Sequence, residues 1–205
     1  VPGEFFPNFF NGEIQALQRS LLGSLMVTII AGFLGSFLLV RNLAMIGDGL
    51  AHVAFGGVIV GIILGASTPL WYAMICSIIA SISIYELQSR EILTGDASIA
   101  IFMTGMLAFG LVILKLSGRA ITTDIHSYLF GSQLLIDSEN LNLISYMSLV
   151  SLFALFNLRH ALLAITIDPL SARVQGLPVR GIGLMFSVII AIVVVSMVKV
   201  VGALL

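Results

Sequence analysis

Between Arg19 and Arg41 there is no charged residue, and the stretch Leu21–Val40 is predominantly apolar. A run of about 20 such residues has the length of a helix that crosses the hydrocarbon of a bilayer. Five more runs follow, at Leu43–Leu64, Leu70–Leu87, Ile99–Leu116, Leu141–Leu158 and Ile182–Leu205. In hydrocarbon every backbone N–H and C=O must find its partner within the chain, which leaves helices and closed barrels as the spanning structures. Barrel strands read as alternating segments of about ten residues, whereas these runs are long and continuous. The chain is therefore expected to be an all-α, polytopic integral membrane bundle with about six spanning helices.

Composition agrees. Of the 205 residues 59% are hydrophobic and 9% charged, against about 45–50% and 25% in soluble domains. A net charge of −1 leaves no basic footprint for nucleic acid. The one cysteine, Cys76, excludes an internal disulfide or a multi-cysteine metal cluster. With the N-terminus outside, Arg41, Arg90, Arg159, Arg173 and Arg180 fall in inner loops, against Arg19, Lys115 and Arg119 outside. That bias orients the bundle. The first run is not a cleaved signal peptide, because it lacks a basic start and is too long. No linker or low-complexity tract divides the chain, so residues 1–205 read as one transmembrane domain. It starts at Val1 and closes on Val200–Leu205 with no polar exit, so truncation at the C-terminus, with further helices beyond, is expected.

The second run holds Gly47-Asp48-Gly49-Leu50-Ala51-His52-Val53-Ala54. Asp48 and His52 are four positions apart and share a helix face. If the helix enters the bilayer at Leu43, a rise of 1.5 Å per residue puts them about 7 and 13 Å deep. Ionisable groups there are costly and mark function by default. A carboxylate with an imidazole suits Zn²⁺, Mn²⁺ or Fe²⁺, yet two ligands are too few for a full shell. A symmetric dimer would supply two of each. An Asp–His hydrogen bond that stiffens a buried helix is the other reading, and the residue types leave both open. Further along, Gly57, Gly61 and Gly65 form a stripe that lets helices approach closely, as ordinary packing faces also do.

In an inner loop, Asp168 can cap a short helix whose first residue is Pro169, with Gly176 just past its end. Such a helix could dock a cytoplasmic partner or simply be a capped loop. Asp124 and His126 belong to a solvated outer loop. Lys199 is explained by snorkelling. No G-x-x-x-x-G-K-[ST] phosphate loop occurs, and neither H-E-x-x-H nor G-x-S-x-G is present.

Four ordered motifs carry a resemblance: Gly47–Ala54, Tyr128-Leu129-Phe130-Gly131, the loop Thr166–Gly176, and Val201-Gly202-Ala203-Leu204-Leu205. Over nearly its whole length the chain resembles the membrane permease subunits of bacterial ATP-binding-cassette importers for zinc, manganese or iron. Members of that family continue past the last motif. The resemblance implies a transport subunit in the bacterial cytoplasmic membrane rather than an enzyme, with no permanently bound cofactor and a divalent metal as cargo. It implies a homodimer in the lipid bilayer, two cytoplasmic ATPase subunits and an extracytoplasmic metal-binding protein. Asp48 and His52 would line the metal path. The loop of Asp168, Pro169, Leu170, Arg173 and Gly176 would couple to the ATPase. The alternative is a secondary or proton-coupled transporter that uses the Asp48/His52 pair as a proton relay. An intramembrane enzyme with His52 as base is a further rival, but it lacks a recognisable nucleophile.

Overall fold

The computed structural model describes residues 15–41, 43–66, 68–118, 128–131, 138–198 and 200–203. Asp124, His126, Arg119, Lys199, Val1 and Leu204-Leu205 lie outside the described residues. Seven helices of at least six residues follow in order among the described residues: α1 (Gln15–Val40), α2 (Ile46–Ile63), α3 (Leu70–Ser89), α4 (Gly95–Leu116), α5 (Ser138–Ile167), the short α6 (Pro169–Val174) and α7 (Val179–Val198). All but α6 contain a span long and apolar enough to cross a membrane, which gives six. There is no strand among the described residues. The expected polytopic all-α bundle is what the chain forms.

Two helix ends depart furthest from the hydropathy reading, each for a physical reason. The fifth run does not stop at Leu158: α5 continues to Ile167. Leu162 and Ile165 remain buried in that last part, while the Arg159 guanidinium lies 4.0 Å from the ring centroid of Phe156 on its own helix. A charged side chain on one face therefore does not end a helix whose other face still packs. The last run is shorter than expected, since α7 ends at Val198 and the chain turns through Val200 and Val201 to Gly202. Gly202 has φ +99°, a left-handed conformation that a residue without Cβ adopts freely. An apolar run does not by itself reveal where a helix turns out of line.

α2 and α7 form the centre. Their spans are 61% and 67% buried, against 22–33% for the other four, which leave large apolar side chains on the outside where lipid solvates them. α3 runs antiparallel to α7, with the Ser81 hydroxyl donating to the Ser187 carbonyl at 2.5 Å. Nearer the helix ends, Glu86 accepts from Arg180. Glycines bring α2 close to both neighbours. A Cβ on Gly57 would fall 2.7 Å from Ala73 Cα, and one on Gly56 would fall 2.8 Å from the Met106 carbonyl oxygen on α4. Gly61 meets Pro69 in the same way. Gly65 departs from the expected stripe: it lies past the end of α2 with φ +74° and nothing within 4 Å of a Cβ, so it is a turn residue rather than a packing one.

Candidate functional site

α2 begins at Ile46 and not at Leu43, which puts Asp48 in its first turn and His52 one turn further on. An acidic group there also meets the positive end of the helix dipole. His52 Nε2 lies 3.6 Å from Asp48 Oδ1, within ion-pair range but too long for a hydrogen bond. The two side chains differ in exposure, 13% for His52 and 59% for Asp48. Thus the carboxylate is open and the imidazole is enclosed behind it. His52 Nδ1 is buried and has no hydrogen-bond partner among the described residues. Buried polar atoms are nearly always satisfied, so this ring has donor or acceptor capacity that the described residues do not use.

Asp48 faces an open cleft of about 250 Å³. Gly47 and Ala51 of α2 form one wall, Val194, Met197 and Val198 of α7 a second, and the turn Val201–Ala203 the third. No group of three or more His, Cys, Asp or Glu comes together among the described residues. Of the pair, Asp48 lines this cleft, and His52 stands one turn further along α2 outside its lining.

Reading the sequence for ionisable residues misses that third wall. Ala203 N–H donates to the Tyr128 carbonyl at 2.9 Å, so the turn after α7 is held against the segment 128–131. The two glycines make this possible. A Cβ on Gly131 (φ +72°) would fall 2.6 Å from the Val201 carbonyl, and one on Gly202 2.5 Å from Gly131 N. The signal was present in the Tyr128–Gly131 and Val201–Leu205 motifs, but only as sequence patterns with no hint that they meet.

The loop helix α6 is built as its residues dictate. Asp168 Oδ1 accepts from the amides of Leu170 (2.9 Å) and Ser171 (3.2 Å), and Pro169 opens the helix. Asp168 Oδ2 also accepts from the Ser171 hydroxyl. That hydroxyl first, and then the two amides, hold the Asp168 carboxyl below its ordinary range. At the other end Leu177 N–H donates to Ala172 O and Gly176 N–H to Arg173 O, both close to 3 Å, with Gly176 at φ +82°. This is the paired closure of a Schellman motif. Ala172 is buried, while Leu170 and Val174 are 72% and 90% exposed. Arg173 is exposed beside them. Two apolar side chains held outward by a doubly capped helix make a small, rigid contact surface.

Residues 13–205 match the ABC 3 transport family, and the chain belongs to it. It is 29% identical over 189 residues to the manganese transport system membrane protein MntC of Halalkalibacterium halodurans, covering 92% of this chain and 64% of the relative. It is 27% identical over 193 residues to the manganese import system permease protein ScaB of Streptococcus parasanguinis, covering 94% and 68%. Among solved structures, PsaBC from Streptococcus pneumoniae in complex with Fab superposes with a TM-score of 0.82 at 25% identity, over 100% of this chain and 72% of that one. The chain spans about two thirds of the length of the curated relatives it matches.

Proposed function

We propose that this chain is the permease subunit of an ATP-driven importer of a divalent metal, with manganese ahead of zinc and iron as cargo. The observation that carries the reading is the Asp48–His52 pair. An exposed carboxylate lines a membrane cleft, and an enclosed imidazole with an unused ring nitrogen stands one turn behind it. Carboxylate and imidazole suit Mn²⁺, Fe²⁺ and Zn²⁺ alike by ligand type. The preference for manganese rests on the names of the relatives MntC and ScaB.

A carboxylate 59% exposed within a spanning helix cannot be left facing lipid, where charge is costly. A second copy across the cleft covers it and brings a second Asp48 and His52, completing a shell that one chain leaves at two ligands. The bundle thus works as one permease domain in a homodimer in the bacterial cytoplasmic membrane. An extracytoplasmic metal-binding protein delivers the ion, and alternating access passes it inward. ATP is hydrolysed on separate cytoplasmic subunits that dock at α6 through Leu170 and Val174, with Asp168, Pro169, Arg173 and Gly176 setting its shape. Membership of the ABC 3 transport family favours this over a proton relay through the same pair.

The test is uptake of radiolabelled manganese by cells that express the whole system. Asp48→Ala and His52→Ala should each lower uptake at least about tenfold while the ATPase subunits still co-purify. Wild-type uptake in both variants would overturn the site. Uptake by the reconstituted complex on a proton gradient without ATP would overturn the ATP-driven reading.

A further inference from the structure

A second cleft lies at the same end of α2, where the loop from α1 enters it; it shares no lining residue with the Asp48 cleft, and its central residue is an arginine. Arg41 follows α1 directly, its N–H donating to the Phe37 carbonyl at 3.1 Å. Its guanidinium lies 5.3 Å from the Phe186 ring centroid, and the residue is half-buried. Burial pulls its pKa below the ordinary arginine value, yet guanidinium remains charged in proteins. Among the described residues no carboxylate comes within ion-pair distance of it. Glu86 is engaged by Arg90 and Arg180, and Glu91 in the cleft wall is exposed. A charge held out of water without a counter-ion is costly.

The cleft has the shape and depth to supply that counter-ion. It has two lobes that share Arg41, Leu43 and Gln88: one of about 180 Å³ against Tyr85 and Phe186, and one of about 500 Å³ against Thr94. Phe186 is on the third turn of α7, about 10 Å along the helix from its start at Val179. The arginine bias of the loops makes that start cytoplasmic. Arg41 itself directly follows the span Leu21–Val40 on that side, which puts it near the boundary between inner-leaflet headgroups and hydrocarbon, where anionic lipids concentrate. Arg90, Arg173 and Arg180 lie on the same cytoplasmic side together with Glu86, Glu91, Asp96 and Asp168, and among the described residues none of these acids forms an ion pair with Arg41. The guanidinium fork matches a phosphate in geometry. The apolar residues Leu43, Ile46 and Ile84 of the wall suit the glycerol and upper acyl carbons better than they suit a soluble ion.

We propose that the Arg41 cleft binds an anionic phosphate group, supplied by the headgroup of an inner-leaflet phospholipid. The site is separate from the metal path and does not depend on which cargo is carried.

The experiment is native mass spectrometry of the assembled transporter complex, purified in detergent and supplied with phosphatidylglycerol, phosphatidylcholine or inorganic phosphate alone. Phosphatidylglycerol should be retained at one molecule per copy of this chain and at least about fivefold over phosphatidylcholine. R41Q should lower that retention about tenfold. Should R41Q fail to assemble, L43W keeps the charge while filling the cleft, and it should lower retention as well. Retention of phosphatidylglycerol unchanged in the variants that assemble would overturn the site. Full displacement by millimolar inorganic phosphate, with no preference between the two lipids, would overturn the lipid as its source.

Discussion

The backbone N–H of Ala203 donates to the carbonyl of Tyr128 at 2.9 Å, closing the turn after α7 onto a segment that precedes α5. Tyr128 and Ala203 are both buried at this junction. Since Val201, Gly202 and Ala203 also line the Asp48 cleft, the hydrogen bond fixes one wall of the proposed metal path. It does so without a charged side chain. The wall is made of backbone, and its integrity depends on the two glycines that let the segments meet.

Gly202→Ala should therefore damage the site more than its chemistry suggests. At φ +99° an alanine is strained, and its Cβ would fall 2.5 Å from Gly131 N and 2.6 Å from Phe130 C. The strain alone is of order 1–3 kcal/mol, and displacement of the segment adds to it. Purified Gly202→Ala protein should melt several degrees lower, and manganese uptake should fall together with the melting temperature. Gly35→Ala on α1, where a Cβ meets nothing within 4 Å among the described residues, is the control; it should leave uptake unchanged and the melting temperature no lower.

The glycines of α2 separate in the same way. Gly57→Ala puts a Cβ 2.7 Å from Ala73 Cα and 2.9 Å from the Tyr72 carbonyl. Backbone cannot yield as a side chain can, so the cost should be about 1–3 kcal/mol. Gly65 has open space and φ +74°, a conformation that asparagine tolerates. Gly65→Asn should be close to neutral. Thermal melting of the two variants in detergent checks the contrast, and equal losses would mean that Gly65 also packs.

The sequence carried the number of spans, because hydropathy records which solvent a helix meets. It also carried α6 almost to the residue, because Asp168, Pro169 and Gly176 act through local backbone hydrogen bonds. It did not reveal that α5 runs on past Arg159 or that α7 stops at Val198. Both outcomes depend on what packs alongside. The Asp48–His52 pair was legible from spacing, but its unequal exposure was not, since the cleft that exposes Asp48 is built by α7 and by the turn from Val201 to Ala203. The contact between residues 128–131 and that turn joins segments far apart in the chain. No local pattern encodes it.

Leu170 and Val174 face outward from α6 and make no demand on the fold. Leu170→Asp should accordingly leave the melting temperature of the permease within a degree or so. It should reduce co-purification of the ATPase subunits at least about tenfold, because a carboxylate would be buried unpaired at the contact. Val174→Asp should act likewise. Intact association in both variants would place the ATPase contact elsewhere, and a collapse of the permease itself would mean that these side chains pack within the chain.

The cap of α6 should titrate. The Asp168 carboxyl lies below its ordinary value, chiefly because the Ser171 hydroxyl donates to it and then because the Ser171 and Leu170 amides do. A carboxylate whose folded pKa is depressed contributes stability at pH above its unfolded value, about 3.9, and loses it as pH falls through the lower folded value. Protection of the Leu170 and Ser171 amides from hydrogen exchange, corrected for the intrinsic pH dependence, should be flat from pH 7 to about pH 4 and decline below that. Ser171→Ala removes the largest of the three contributions and so raises the folded value towards the unfolded one; its decline should be smaller than in the wild type and end at a higher pH. Asp168→Ala should show several-fold faster exchange at both amides even at pH 7, because both lose their acceptor. Identical profiles for wild type and Ser171→Ala would mean that the two backbone amides alone hold the carboxylate.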